Sequence, residues 1–201
     1  CGFEAFLIGG SVRDYIMKMP IGDIDITTNA TPTEVQKVFK DFRVIETGIK
    51  HGTVTVLINN EPLEITTYRS EGTYSDNRHH DSVTFSKSLA DDVVRRDFTM
   101  NGIAFDFQDG FVDLVNGIND INNGIIRCIG DAETRFREDA LRILRALRFS
   151  AVLGFSIEEN TSLAIHKCKD LLKNISAERI QVEFSKLICG KNAYNVLQEY
   201  E

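Results

Sequence analysis

The sequence lacks most of the features that would assign a chain to a special class. Its four cysteines, Cys1, Cys128, Cys168 and Cys189, are far apart with no C-x-x-C spacing, which speaks against a zinc site or a disulfide framework. Reduced, mostly buried thiols in a cytoplasmic protein are the expectation. No run approaches the roughly 20 apolar residues that a membrane span requires, and no signal peptide is recognisable. Positive charge is not in excess: the net charge of -7 speaks weakly against a nucleic-acid partner. Five arginines between Arg135 and Arg148 nevertheless make a local basic stripe, which matters more to a phosphate backbone than the overall sum. There is no internal repeat and no low-complexity segment. His51, His79, His80 and His166 have no partner spacing that suggests a catalytic base and are read as structural or surface residues. The chain begins without Met, directly before a strand, and ends inside a helical pattern, so it reads as a piece of a longer protein. Nothing in it indicates an oligomeric state.

What is present is an ordinary globular composition, 42% hydrophobic and 26% charged over 201 residues, enough for a real core. Phe3 to Ile8 reads as a strand ended by Gly9 and Gly10, and Ser11 to Met19 as a short helix stopped by Pro20 and Gly22. Thr31-Pro32-Thr33-Glu34 is a capping box with Pro at the first helical position, predicting a helix to about Phe39. Thr53 to Ile58 and Leu63 to Tyr68 form a hairpin around an Asn59-Asn60-Glu61-Pro62 turn. Ser70 to Ser86 is polar and aperiodic, a long surface loop. A short helix capped by Ser88 leads into Arg95-Arg96-Asp97, and Asn101 to Phe107 with Phe111 to Val115 make a hairpin around Gln108-Asp109-Gly110.

Beyond Asn116 the period becomes helical. Arg135 to Leu153 reads as one long helix, with Ala140, Ile143, Leu144 and Leu147 on one arc and Arg142, Arg145 and Arg148 on another. Ser156 and Ser176 are read as opening two further helices, the second stopped by Gly190. The expected fold class is α+β: a mixed sheet with helices over residues 1–122, followed by an all-helical part over 123–201.

The chemistry-bearing stretch is FLIGGSVRDYIMKMPIGDIDITT, Phe6 to Thr27. In a strand alternate side chains share a face, so Asp23 and Asp25 point the same way and repel unless a cation lies between them. A hard divalent ion such as Mg2+ takes carboxylate oxygens together with substrate phosphates. Gly9 and Gly10 let the backbone approach a phosphate closely, and the following helix offers free N–H groups to an anion. Glu64, on the hairpin, supplies a third carboxylate. Such a set suits phosphoryl or nucleotidyl transfer with two metal ions. Taken singly, the pieces have plainer readings: Asp23 and Asp25 as solvated turn residues, Arg95 and Arg96 as a solvated cationic turn, Glu138 with Arg142 or Arg145 as ordinary helix-surface pairs.

Four segments in order, G-G-S-V-R-D, D-I-D, R-R-D-F-T-M-N and E-D-A-L-R-I-L-R-A-L-R-F, resemble the bacterial-type (class II) tRNA nucleotidyltransferase and poly(A) polymerase family, within the polymerase-β-like superfamily. The resemblance covers essentially the whole chain and implies a nucleotidyltransferase head followed by a helical neck. It implies that Asp23 and Asp25 bind Mg2+, that Glu64 is the third acidic residue, and that Gly10 and Arg13 contact the nucleoside triphosphate. It assigns recognition of the ribose chiefly to Arg96, with Asp97 beside it. Arg145 and Arg148 are placed near the phosphates and the cleft. The loop around Asp76 and Arg78 matches one linked to switching from C to A addition, although His80 stands where many relatives have Pro.

Base selection follows from edge chemistry. Cytosine and adenine both show an amino donor beside a ring-nitrogen acceptor, so one carboxylate and one Arg can read both. Uracil and guanine show the opposite order and would strand both groups, a strong basis for rejection. The resemblance gives this role to Asp139 and Arg142, expected as neighbours on one helix face. The expected partners are CTP, ATP and the 3' end of tRNA, with no membrane. The implied function is CCA addition to tRNA with release of pyrophosphate. Within the family the alternatives are a poly(A) polymerase or a CC-only or A-only enzyme; Ala140, where poly(A) relatives tend to have Pro, favours the tRNA enzyme. From another class, the rival is an RNA-binding module that kept the scaffold and lost catalysis.

Overall fold

The apolar run before the glycine pair becomes β1 (Ala5–Ile8) in a computed structural model that describes residues 2–70 and 84–201. Helix α1 (Gly10–Ile16) follows at once, then β2 (Ile24–Thr28), with Asp23 just outside the strand. Helix α2 (Pro32–Val38) starts as its sequence dictates: Thr31 and Glu34 complete the capping box and Pro32 opens the first turn. The chain continues through β3 (Arg43–Ile45), β4 (Thr53–Ile58) and β5 (Glu61–Thr67). The β4–β5 turn is tighter than expected. Asn59 and Asn60 both adopt positive φ, 53° and 67°, which Asn tolerates, and Pro62 lies inside β5 opposite Leu57 rather than in the turn. The β2 ladder begins one residue later, at Leu63, so no pairing with β2 is given up at the Pro.

Strands β6 (Arg69–Ser70) and β7 (Thr84–Phe85) pair with each other, so the polar stretch is paired where description stops and resumes. The expectations for Asp76, Arg78, His79 and His80 lie outside the described residues. Helix α3 (Leu89–Val94) has Ser88 at its N-cap position, but the Ser88 side chain makes no capping bond; its backbone N–H donates to Ser86 Oγ instead (3.0 Å). Strands β8 (Ile103–Asp106) and β9 (Gly110–Asp113) complete the hairpin, and α4 (Gly117–Asn123) follows.

The described residues form two compact units, the first of 2–70, 84–96 and 100–118 and the second of 97–99 and 119–201. The first is built on a seven-stranded sheet of order β3-β4-β5-β2-β1-β8-β9. Neighbours run antiparallel except β2 and β5, which are parallel. Val35 of α2 packs on Val54, Val56 and Ile65, while Val93 of α3 packs on Ile8 and Ala104.

The second unit is mainly helical, with a short parallel pair of β10 (Ile125–Ile126) and β11 (Ser156–Ile157). The long helix expected over Arg135 to Leu153 is two: α5 (Ala132–Glu138) and α6 (Leu141–Leu153). Between them Asp139 is extended, at φ -144° and ψ 101°. The apolar period continues across the break, because Ala140, Leu141 and Leu144 all face one core with Ile175, and periodicity alone could not reveal it. Asp139 and Arg142 are therefore not neighbours on a helix face. Helices α7 (Glu159–Cys168), α8 (Ala177–Ile188) and α9 (Ala193–Glu199) follow. Ser156 belongs to β11, and the capping residue of α7 is Glu158, which accepts from the Thr161 N–H (2.9 Å). Gly190 does more than stop α8. A Cβ there would stand 2.6 Å from the Ala151 carbonyl, so the glycine permits close packing on α6. Burial pushes the Cys128 thiol up to about 12, an inert core sulfur; Cys168 is also buried, whereas Cys189 is exposed.

Candidate active site

The first unit's chemistry gathers where β1 ends. Gly9 adopts φ 81° and ψ -138°, a backbone conformation essentially confined to glycine. A Cβ there would lie 3.4 Å from an Asp25 carboxylate oxygen and 3.6 Å from Nη1 of Arg96. The bare Cα thus leaves a cradle with a carboxylate and a guanidinium beside it. Parallel pairing of β2 with β5 puts Asp25 in register with Glu64, and in-register neighbours project from the same face. Asp25 is half-buried, Asp23 and Glu64 exposed. Burial first, then Glu64, pushes the Asp25 carboxyl above its ordinary range; Arg96 opposes this and Asp23 adds to it. Among the described residues no group of three or more His, Cys, Asp or Glu stands close enough to hold a metal ion by itself. Asp23, Asp25 and Glu64 are brought near one another without forming a closed cage.

Arg13 is mostly buried, bonded to Asp14 through Nε (2.9 Å) and to the Asn101 side chain through Nη1 (2.9 Å). One of its nitrogens lies 3.6 Å from where a Gly10 Cβ would be, so Gly10 and Arg13 form one local structure. Asp92 is the hub that the sequence did not announce. Fully buried, it accepts from Nη2 of Arg96 (2.9 Å), Nε of Arg95 (2.8 Å), the Thr27 hydroxyl (3.1 Å) and the Arg69 N–H (3.3 Å). Burial would raise its pKa, but Arg96 and Arg95 outweigh that and hold it below the ordinary carboxylate range. Arg95 and Arg96 are therefore not a solvated turn. The available signal was Asp92 standing three and four residues before the two arginines, one helical turn away. Asn101 carried no comparable signal, since its partner is Arg13.

In the second unit the basic stripe is already neutralised. Nη1 of Arg142 donates to Glu138 (2.7 Å) and to the Arg135 carbonyl (3.1 Å). Arg145 donates twice to Asp97, 2.8 Å from Nε and 2.6 Å from Nη2. Arg148 pairs with Glu183 (2.6 Å) and lies 4.0 Å over the Phe149 ring. Asp139 takes Nη2 of Arg179 (2.9 Å) and the Leu141 N–H (3.1 Å). Arg142, Arg145 and Arg148 thus share a helix without forming an open cationic surface. Arg96 and Asp97, adjacent in sequence, bond to different partners. Arg179 and Glu183 were missed because 35 to 40 residues separate them from the groups they hold.

No helix among the described residues is long and apolar enough to cross a membrane. Comparison with known proteins shows what the chain is similar to. The CCA-adding enzyme of Lactobacillus helveticus is 50% identical over 197 residues, 98% of this chain and 49% of that protein. The crystal structure of the Bacillus stearothermophilus CCA-adding enzyme in complex with CTP is 43% identical with TM-score 0.89, covering 98% of this chain and 47% of that one. A tRNA nucleotidyltransferase complexed with a primer tRNA and an incoming ATP analog is 27% identical with TM-score 0.79, over 99% of this chain and 57% of that one. The chain spans about half the length of the curated relatives it matches. The family described as "Probable RNA and SrmB- binding site of polymerase A" matches residues 154–201. The family described as "Poly A polymerase head domain" matches residues 5–127. With that match across most of its length and the mixed α+β sheet of the CCA-adding structures, the chain belongs to the poly A polymerase head domain family.

Proposed function

We propose that this chain is the catalytic and nucleotide-selecting part of a template-independent tRNA nucleotidyltransferase that adds C, C and A from CTP and ATP and releases pyrophosphate. The observation that carries the reading is the β2–β5 register, which sets Asp25 beside Glu64 next to the bare backbone of Gly9 and the guanidinium of Arg96. We assign residues 1–122 to the head and 123–201 to a helical neck, and place the protein in the cytoplasm.

Nucleotidyltransferases of this family generally use a divalent metal, and we take it to be Mg2+. The residues present fit one: Asp25 is half-buried with the Glu64 and Asp23 carboxylates beside it, their charge only partly offset by Arg96, and Mg2+ keeps several waters and needs only one or two carboxylates besides substrate phosphates. Asp23 and Asp25 would hold it, with Glu64 as the third acidic group. When bound it supplies activation of the attacking 3'-hydroxyl and charge neutralisation on the α-phosphate and leaving pyrophosphate.

The chain's own groups then do the positioning. The backbone at Gly9 and Gly10 admits the triphosphate, and Arg13 behind Gly10 supplies positive charge to it. Arg96, braced on Asp92, reads the ribose. In the second unit Asp139 accepts from the amino group of cytosine or adenine while Arg142 donates to the ring nitrogen; Arg145 and Arg148, met by Asp97 and Glu183, hold the α6 side of that reader in place. No protein nucleophile is required, since orientation and preorganised charge carry such a transfer.

Calorimetric titration of the full-length protein in Mg2+ tests this reading. CTP and ATP are expected to bind at least about tenfold tighter than UTP and GTP, a difference of about 1.4 kcal/mol or more. Equal binding of all four, or none, would favour the RNA-binding module that has lost catalysis.

A further inference from the structure

We infer that α8 is a positioning element for nucleotide selection, with Arg179 fixing the Asp139 carboxylate in the orientation from which it accepts the amino group of the base. The inference rests on the proposed role of Asp139 as half of the base reader.

Asp139 stands at the break between α5 and α6 with an extended backbone, its N–H closing the last turn of α5 on the Arg135 carbonyl (3.2 Å), which leaves the direction of the carboxylate to its own bonds. Two bonds set it. The Leu141 N–H donates to Oδ1 (3.1 Å) and Nη2 of Arg179 to Oδ2 (2.9 Å). The first is local and ties the carboxylate to the start of α6. The second comes from 40 residues further on and is charge-assisted, the stronger kind. A carboxylate offers about four lone-pair sites, so two internal donors still leave room for the amino group.

One helical turn after Arg179, the buried Glu183 reaches Nε of Arg148 (2.6 Å) and Nη1 of Arg145 (3.5 Å). The same stretch of α8 therefore offers a cation to the carboxylate at the break and a carboxylate to the two cations on α6. Residues four apart lie on one helix face, so a single face of α8 holds the base-reading carboxylate and the two guanidiniums that follow Arg142 on α6. The Arg179–Asp139 pair is partly exposed and contributes little to stability. The geometric effect of these pairs is to hold an acceptor and its neighbouring guanidiniums in one arrangement before any nucleotide arrives.

The test uses the full-length protein and a tRNA ending before CCA, with kcat and KM for each of the four nucleotides in Arg179→Ala, Arg179→Gln, Arg179→Lys and Asp139→Asn. Arg179→Gln keeps length and a donor and guards against a folding failure of the alanine variant. Removing the charge is expected to lower the CTP-over-UTP and ATP-over-GTP preferences by about tenfold or more, through KM, with kcat at saturating CTP within a few-fold. Arg179→Lys is expected to restore part of the preference as a point charge. A merely structural role would lower all four nucleotides alike and track the melting temperature, and that result would overturn the inference. Full selectivity in both Arg179→Ala and Arg179→Gln, while Asp139→Asn loses it, would also overturn it. If Asp139→Asn itself keeps full selectivity, the base-reader assignment fails first.

Discussion

Asp25→Asn is expected to abolish nucleotidyl transfer and, at neutral pH without divalent metal, to make the folded chain more stable. The loss follows from the position of Asp25, in register with Glu64 and beside Gly9 and Arg96. A group worth several kcal/mol of charge stabilisation in the transition state costs about 10^3-fold in rate or more when removed. The gain follows from the sign of its pKa shift. Burial, Glu64 and Asp23 hold the folded carboxyl above its ordinary value of 3.8 despite Arg96. Between 3.8 and the raised value the folded chain binds more protons than the unfolded chain, so stability falls as pH rises through that window. Above it the penalty is complete; below 3.8 it is absent. Thermal unfolding across pH in buffer free of divalent metal is the check: Asn should melt above the parent at pH 7, and the gap should close in acid. A variant that is less stable at pH 7, or that still incorporates nucleotides, would contradict the assignment.

Asp92→Ala is expected to destabilise the first unit by about 3–5 kcal/mol, because deleting one member of a buried ion pair leaves its partners uncompensated. Here two guanidiniums, those of Arg95 and Arg96, lose the same carboxylate, as do the Thr27 hydroxyl and the Arg69 N–H. The pH dependence is opposite to that of Asp25. Burial pushes Asp92 up, but Arg96 and Arg95 more than reverse it, so its contribution is present above 3.8 and is lost as pH falls through the lower folded value. Denaturant unfolding should show the parent ahead of Asp92→Ala throughout the neutral range and the two converging only in strong acid. Asp92→Asn keeps the shape without the charge. Any residual folded protein should discriminate ribose from deoxyribose poorly, because Arg96 has lost its brace. Parent-like stability in Asp92→Ala would remove Asp92 as the hub.

Local chemistry made part of this legible in the sequence. The strand before Gly9, the capping box at Thr31 and the Asn59-Asn60 turn each follow from what a few adjacent residues can do. Asp23, Asp25, Arg13 and Arg96 stood in short recognisable segments. The β2–β5 register was not legible, since parallel pairing is set by packing across intervening strands and nothing near Glu64 names Asp25. Nor was the break at Asp139, where apolar spacing is indifferent to one extended residue. The ion pairs that hold Arg145, Arg148 and Asp139 join residues 35 to 48 positions apart. The stripe therefore read as a free basic surface when its charges are met within the fold.

CCA addition is read out by offering the full-length protein a tRNA ending before CCA, with Mg2+ and with CTP and ATP separately and together. Two C residues are expected with CTP alone, and C, C, then a single A with both. A long A tract would contradict CCA addition in favour of a poly(A) polymerase, and absence of any extension would contradict the catalytic assignment itself.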